Sequence, residues 1–65
     1  MYLEVRVIYK DGRCAVFDKC MLCAIGDKST LIRPSNLLRD NINIKSYEHI
    51  KAIKVAIKEG TIYAD

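Results

Sequence analysis

Apolar residues recur at every second position near the start of the chain. Val5, Val7 and Tyr9 are separated by Arg6 and Ile8, and Lys10-Asp11-Gly12-Arg13 follows them. Alternation with a period of two is typical of a half-buried β-strand. Asp-Gly is a strong hairpin signal, because a type I′ turn requires positive φ at both central residues. The pattern therefore predicts a hairpin that pairs residues 2–10 with residues 13–18.

The predicted turn also sets a register for this hairpin. With Asp11-Gly12 at the turn, Tyr9 faces Cys14 and Val7 faces Val16, and directly opposed residues share one face of the sheet. The expected core face carries Leu3, Val5, Val7, Tyr9, Cys14 and Val16. The opposite face carries Arg6, Ile8, Ala15 and Phe17.

Residues 53–61 repeat the pattern of residues 5–13, with alternating apolar residues followed by a basic residue, an acidic residue and glycine. Two structures compete for residues 46–60. A helix that is capped by Ser46 and ends at Gly60 would leave Val55 among lysines on its solvent-exposed face. A strand over 53–58 places its β-branched residues on one face, and we favour it. A second hairpin across Glu59-Gly60 would put Ala56 opposite Tyr63.

The middle of the chain is less regular. Residues 20–25 are apolar, residues 26–28 predict a turn, and the following extended run ends at Pro34. Residues 34–40 allow one short helical turn, and residues 42–44 a further short strand. We predict one mainly β domain over residues 1–65. It is a small antiparallel β-barrel or curled sheet of SH3-like or Sm-like size, with two tight hairpins and at most one short helix.

Composition narrows the classes of function. Of 65 residues, 51% are hydrophobic and one is proline, which excludes disorder, and the length excludes a two-domain enzyme. The net charge of +3 comes from basic residues interleaved with acidic ones, so the chain lacks a basic arm. No apolar run approaches the roughly 18 residues of a membrane span, and the first residues lack a signal peptide's apolar block. We expect a cytoplasmic protein without a membrane partner.

The cysteines are the strongest candidates for site chemistry. Cys20-Met21-Leu22-Cys23 is a CxxC pair, and Cys14 and His49 are further candidate zinc ligands. However, Met-Leu suits a core strand, where residues three apart face opposite ways, so Cys20 and Cys23 would not converge. We expect buried free thiols, with no metal and no cofactor. Because no nucleophile, phosphate loop or paired acid stands out, we expect no catalytic residues and no enzymatic activity.

One mixed face is the candidate partner-binding surface. If both hairpins lie in one sheet, it is formed by Arg6, Ile8, Phe17, Lys54 and Tyr63. The sequence predicts a non-catalytic interaction module, an adaptor, inhibitor or regulator, that binds a protein partner and forms a homodimer. The alternative is binding of single-stranded RNA or DNA by stacking bases on the aromatic rings of this face and holding phosphates with its basic side chains.

Part of the chain resembles the two motifs of Sm-like RNA-binding barrels. The residues concerned are Lys10-Asp11-Gly12-Arg13, Phe17-Asp18, Met21, Ile32-Arg33 and Asn36. The resemblance covers about residues 5 to 36, with Leu22 in place of the family's asparagine and Pro34 in place of its glycine. It implies a shared small-barrel architecture, and membership of the family is not claimed.

Overall fold

The computed structural model describes residues 1–59, which form five β-strands without a helix. The strands are β1 (Tyr2–Tyr9), β2 (Cys14–Ile25), β3 (Thr30–Pro34), β4 (Ile42–Ile44) and β5 (Ile50–Lys58). They make one antiparallel sheet in the order β4-β3-β2-β1-β5. The described residues therefore contain no helix able to cross a membrane.

The sequence predictions of a mainly β fold, of a strand over 53–58 and of a short strand over 42–44 are confirmed. Residues 26–29 form the predicted turn, in which the Gly26 N–H donates to the Ser29 carbonyl at 2.8 Å. The predicted second hairpin, which pairs Ala56 with Tyr63, lies outside the described residues. Within them, β5 pairs along one side with β1, and Ala56 is opposite Glu4.

The register predicted for the first hairpin is wrong by one residue. Ile8, not Tyr9, is opposite Cys14, and Val7 is opposite Ala15. The cause is a longer turn: the Gly12 N–H donates to the Tyr9 carbonyl and the Tyr9 N–H to the Arg13 carbonyl, while Gly12 alone in the loop has positive φ (93°). This is a three-residue loop with a glycine bulge.

The one-residue shift exchanges the two faces of β2. Val5 and Val7 are buried as predicted, but the residues beside them are Phe17 and Ala15. Cys14 and Val16, expected in the core, are exposed on the opposite face. The side-chain period of a strand is two, so any odd shift moves a whole strand's side chains to the other side.

Two β-bulges further along β2 change which of its side chains point to each face of the sheet. Asp18 and Lys19 together oppose Glu4, and Met21 is an extra residue between Cys20 and Leu22 in the pairing with β3. Because a bulge adds one residue to one strand, residues on its two sides keep different alternation. Cys20 and Cys23 consequently both pack in the core, and the expectation that they face opposite ways is wrong.

The core is small and lies on one face of the sheet, which we call the core face. Its fully buried apolar side chains are Val5, Val7, Cys20 and Ile32. Partly buried side chains surround them, including Phe17 from β2, Ile42 and Ile44 from β4, and Ile53 from β5. Strands at both edges thus contribute to one cluster, which requires the sheet to curl around it.

The connection between β4 and β5 shows the same curvature. These strands are the two edges of the sheet, and four interstrand spacings of a flat sheet are about 19 Å. Six residue steps join Ile44 to Ile50 and reach about 20 Å only when fully extended. The connection contains a turn, in which the Ile50 N–H donates to the Tyr47 carbonyl, and it therefore fits only a curled sheet.

Candidate interaction surface

The face opposite the core, the outer face, carries three of the five residues of the candidate partner-binding surface. Arg6 lies opposite Lys54 on β5, and Ile8 lies two residues further along β1 on the same face. These side chains border a shallow groove of about 430 Å³, together with Glu4, Cys14, Val55 and Ala56. Antiparallel pairing of β1 with both neighbours places them together.

Phe17 does not belong to this face. It is opposite Val5 and packs against the core cluster, because the register of the first hairpin differs from the predicted one. Tyr63, the other aromatic residue of the predicted surface, lies outside the described residues. The outer-face groove therefore has no aromatic side chain among the described residues that line it.

The charges of the outer face are partly compensated within it. Arg6 Nη2 lies 3.1 Å from Glu4 Oε1, and both side chains lie on the same side of β1. An ion pair at an exposed position contributes little to stability, but it lowers the positive potential that a phosphate would meet. Lys54 is exposed across the strand from Arg6.

The free edge of β5 is a surface that the sequence reasoning missed. Among residues 1–59, no strand pairs with the second side of this nine-residue strand. Beside it, Val55 is 43% exposed and Ile57 is 68% exposed, although their partners on β1 are the buried Val5 and the half-buried Leu3. The apolar core face thus continues to the edge, where no described strand covers it. The alternation at 53–57 placed these residues on one face of a strand, but the strand order was needed to place that strand at an edge.

A second exposed apolar pair lies in the loop between β3 and β4. Leu37 and Leu38 are 78% and 94% exposed. Asn36 holds this loop in a turn, since its side-chain Oδ1 accepts from the Leu38 N–H and its carbonyl accepts from the Arg39 N–H. The short helical turn that the sequence allowed at residues 34–40 is not formed as a helix; the loop contains this hydrogen-bonded turn instead.

The cysteines occupy different environments. Cys14 is exposed on the outer face, Cys20 is buried, and Cys23 is partly buried in the core. Burial raises the pKa of both core thiols, and for Cys20 the nearby negative charges of Cys23 and Asp18 add to the increase. Within residues 1–59, no three His, Cys, Asp or Glu side chains converge in a way that could hold a metal ion.

The tip of the first hairpin forms a small polar cluster beside His49. Arg13 Nε lies 2.6 Å from Asp11 Oδ2, and the guanidinium stacks 5.3 Å from the centre of the Tyr9 ring. The Arg13 backbone N–H, and after it the guanidinium, lowers the pKa of Asp11 below its ordinary value. These interactions close the turn, and they leave Asp11 ionised as an acceptor rather than available as an acid.

No protein-family model, curated protein or solved structure shows significant similarity to this chain.

Proposed function

We propose that this chain is a non-catalytic interaction module that binds protein, and associates with itself, by adding a strand to the free edge of β5. The observation that carries the proposal is the exposed apolar strip of Val55 and Ile57 beside an edge of nine residues. A long edge with apolar side chains is a template for another strand, since its unpaired N–H and C=O groups accept a new ladder. The free thiols suit a reducing compartment, and we propose a cytoplasmic location.

The energetics favour association at this edge over an unassociated edge. A domain of about 60 residues buries only roughly 60% of its unfolded surface. Burial of its exposed core-face residues by a partner would therefore add substantially to the apolar surface that stabilises it. Each large aliphatic side chain transferred fully from water contributes about 1.5–3 kcal/mol. Backbone hydrogen bonds of an added strand contribute about 0.5–1.5 kcal/mol each.

The alternative of single-stranded RNA or DNA binding receives less support. It requires aromatic rings and basic groups on one face, but Phe17 is on the core face and Arg6 is paired with Glu4. Stacking on aromatic side chains contributes about 1–3 kcal/mol per base to sequence-tolerant binding of single strands, alongside a positively charged groove. We therefore propose protein as the partner, and a low-salt titration with RNA and DNA serves as the comparison.

Sedimentation velocity from micromolar to millimolar protein tests the proposal. We expect the wild-type chain to form a dimer within this range and Ile57→Lys to stay monomeric, because the new charge would have to be buried against the added strand. Leu38→Lys is the matched control, since it changes another exposed aliphatic residue to lysine away from β5. It should leave association unchanged.

Three results would overturn the proposal. The first is a wild-type chain that is monomeric at every concentration, and the second is dissociation by Leu38→Lys but not by Ile57→Lys. The third is salt-sensitive binding of single-stranded nucleic acid that Arg6→Glu abolishes in a chain that does not self-associate.

A further inference from the structure

The two edges of the sheet differ in what they offer to a second copy of the chain. The β5 edge is nine residues long, whereas the β4 edge has three residues, Ile42–Ile44. Pairing β4 of one copy with β5 of the next would use only three residues, and such a head-to-tail contact leaves unpaired edges at the ends of a two-chain assembly. Pairing β5 with β5 about a two-fold axis uses the long edge of both copies and closes after two chains. The self-association proposed above therefore favours the symmetric arrangement.

The charges along β5 disfavour two of the registers that this pairing could adopt. A two-fold axis perpendicular to the sheet places some residue opposite its own copy, and it keeps the core faces of both copies on the same side. An axis at Lys54 opposes two lysines, and an axis at Ala56 opposes Lys54 to Lys58. Like charges directly opposite each other destabilise a strand pair. Both registers are thus disfavoured.

An axis at Val55 removes these conflicts and pairs residues 52–58, the regular part of β5. An axis at Ile57 would pair only residues 56–58 of the strand, and an axis at Ala52 or Ile53 would pair through the register shift at Lys51. Val55 then pairs with its own copy, and Ile53 pairs with Ile57 of the second chain. Lys51, the extra residue at the register shift of β5, and Glu59, which directly follows the strand, then come opposite each other just beyond the regular part of the new ladder, and this ion pair occurs twice by symmetry. All of these side chains are exposed or only partly buried in the single chain, so they are available to the second copy.

We infer that the partner of β5 is a second copy of this chain, paired antiparallel about a two-fold axis at Val55, with Lys51 of each chain opposite Glu59 of the other. This inference rests on the proposed function. The new contacts cover the two uncovered core-face residues, Val55 and Ile57, and join the two sheets into one of ten strands.

Charge reversal in the full-length chain tests the register. Lys51→Glu should weaken the dimer about tenfold, since two attractive pairs become repulsive, and Glu59→Lys should do the same. The double variant Lys51→Glu/Glu59→Lys should return the dissociation constant to near the wild-type value. Lys58→Glu is the matched control: it changes the net charge equally but lies opposite Ala52, and it should not weaken the dimer.

The outcomes separate the register from the proposed function. A wild-type dimer that is insensitive to both single reversals, or that the double variant fails to restore, overturns the register and leaves self-association standing. A wild-type monomer at all concentrations overturns both. In that case, protection from hydrogen exchange of the β5 amides that do not face β1 would assign the edge to residues 60–65 of the same chain, the pairing expected from Glu59-Gly60.

Discussion

Cys14, Cys20 and Cys23 show how much a residue's behaviour depends on its position within one strand. All three belong to β2, yet one is exposed, one is buried and one is half-buried. The Cys20 thiol donates to the Phe17 carbonyl at 3.3 Å, which stabilises the protonated form in addition to burial. The register shift puts Cys14 outside, and the bulge at Met21 keeps Cys23 inside.

The first prediction at this scale is an order of thiol reactivity. Cys14 should react rapidly with a thiol reagent in the folded protein, Cys23 slowly, and Cys20 only after local or global unfolding. Exposure favours Cys14, while the raised pKa of the other two reduces their thiolate fraction at neutral pH and shifts their reaction to higher pH. Mass spectrometry of labelled peptides over time measures the order.

Substitution of the same cysteines provides the control. Cys20→Ala should cost about 1–2 kcal/mol in the free energy of unfolding, as a large-to-small change in the core. Cys14→Ala should change it by less than about 0.5 kcal/mol. Fast labelling of Cys20, or a larger cost at Cys14, would contradict the register described for β2.

At the scale of elements, the turn of the first hairpin determines which residues of β2 are buried. Gly12 has φ of 93°, and a Cβ built on it meets no atom within 4 Å. The requirement for glycine there is therefore conformational and not steric. Asp11 needs no positive φ in this turn, unlike in a two-residue type I′ turn, and its side chain instead accepts from the Arg13 N–H at 3.0 Å.

Gly12→Ala should destabilise the protein by about 1–2 kcal/mol, because an L-residue is strained at positive φ. Chemical synthesis of the chain with D-alanine at this position is the control. A D-residue adopts positive φ without strain, so stability should be close to or above that of the wild type. Equal losses in both proteins by urea denaturation would refute the conformational explanation.

At the scale of the whole molecule, Tyr47 anchors the connection between β4 and β5, the two edge strands, through hydrogen bonds. Its hydroxyl donates to the Gly26 carbonyl at 2.7 Å and lies 2.6 Å from Thr30 Oγ1. Thr30 is buried, so its hydroxyl depends on this partner. The connection is tied at a second point, where the Lys10 N–H donates to the His49 carbonyl. Together these bonds hold the sheet in its curled form.

Tyr47→Phe should cost about 1–3 kcal/mol in the free energy of unfolding, because it leaves the buried Thr30 hydroxyl without its partner. Adding Thr30→Val should recover part of this loss, since the double variant removes both polar groups. Tyr2→Phe, which removes a hydroxyl at the start of β1, should have little effect. If Thr30→Val does not recover any stability in the Tyr47→Phe background, the pair is not coupled.

The sequence by itself determined the local features of this protein. The all-β fold and most strand positions followed from local patterns. These are the alternation at residues 5–9 and 53–57, the breaks at Gly12 and Pro34, and the apolar run at 20–25. These features depend on interactions between near neighbours, and a period of two is visible in the letters themselves. The candidate residues Arg6, Ile8 and Lys54 were placed on one face for the same reason.

Tertiary structure decided the register, the strand order and hence the surfaces. The choice between the two turns at Asp11-Gly12 depends on whether Phe17 or Cys14 lies on the core face beside Val5 and Val7. These contacts join residues of different strands, which are distant in the chain. The bulges in β2 and the edge position of β5 also depend on contacts between distant residues, because all the strands share one small core. A shift of one residue costs little locally but exchanges the two faces of a strand, so local patterns could not assign Phe17 or the exposed edge at Val55 and Ile57.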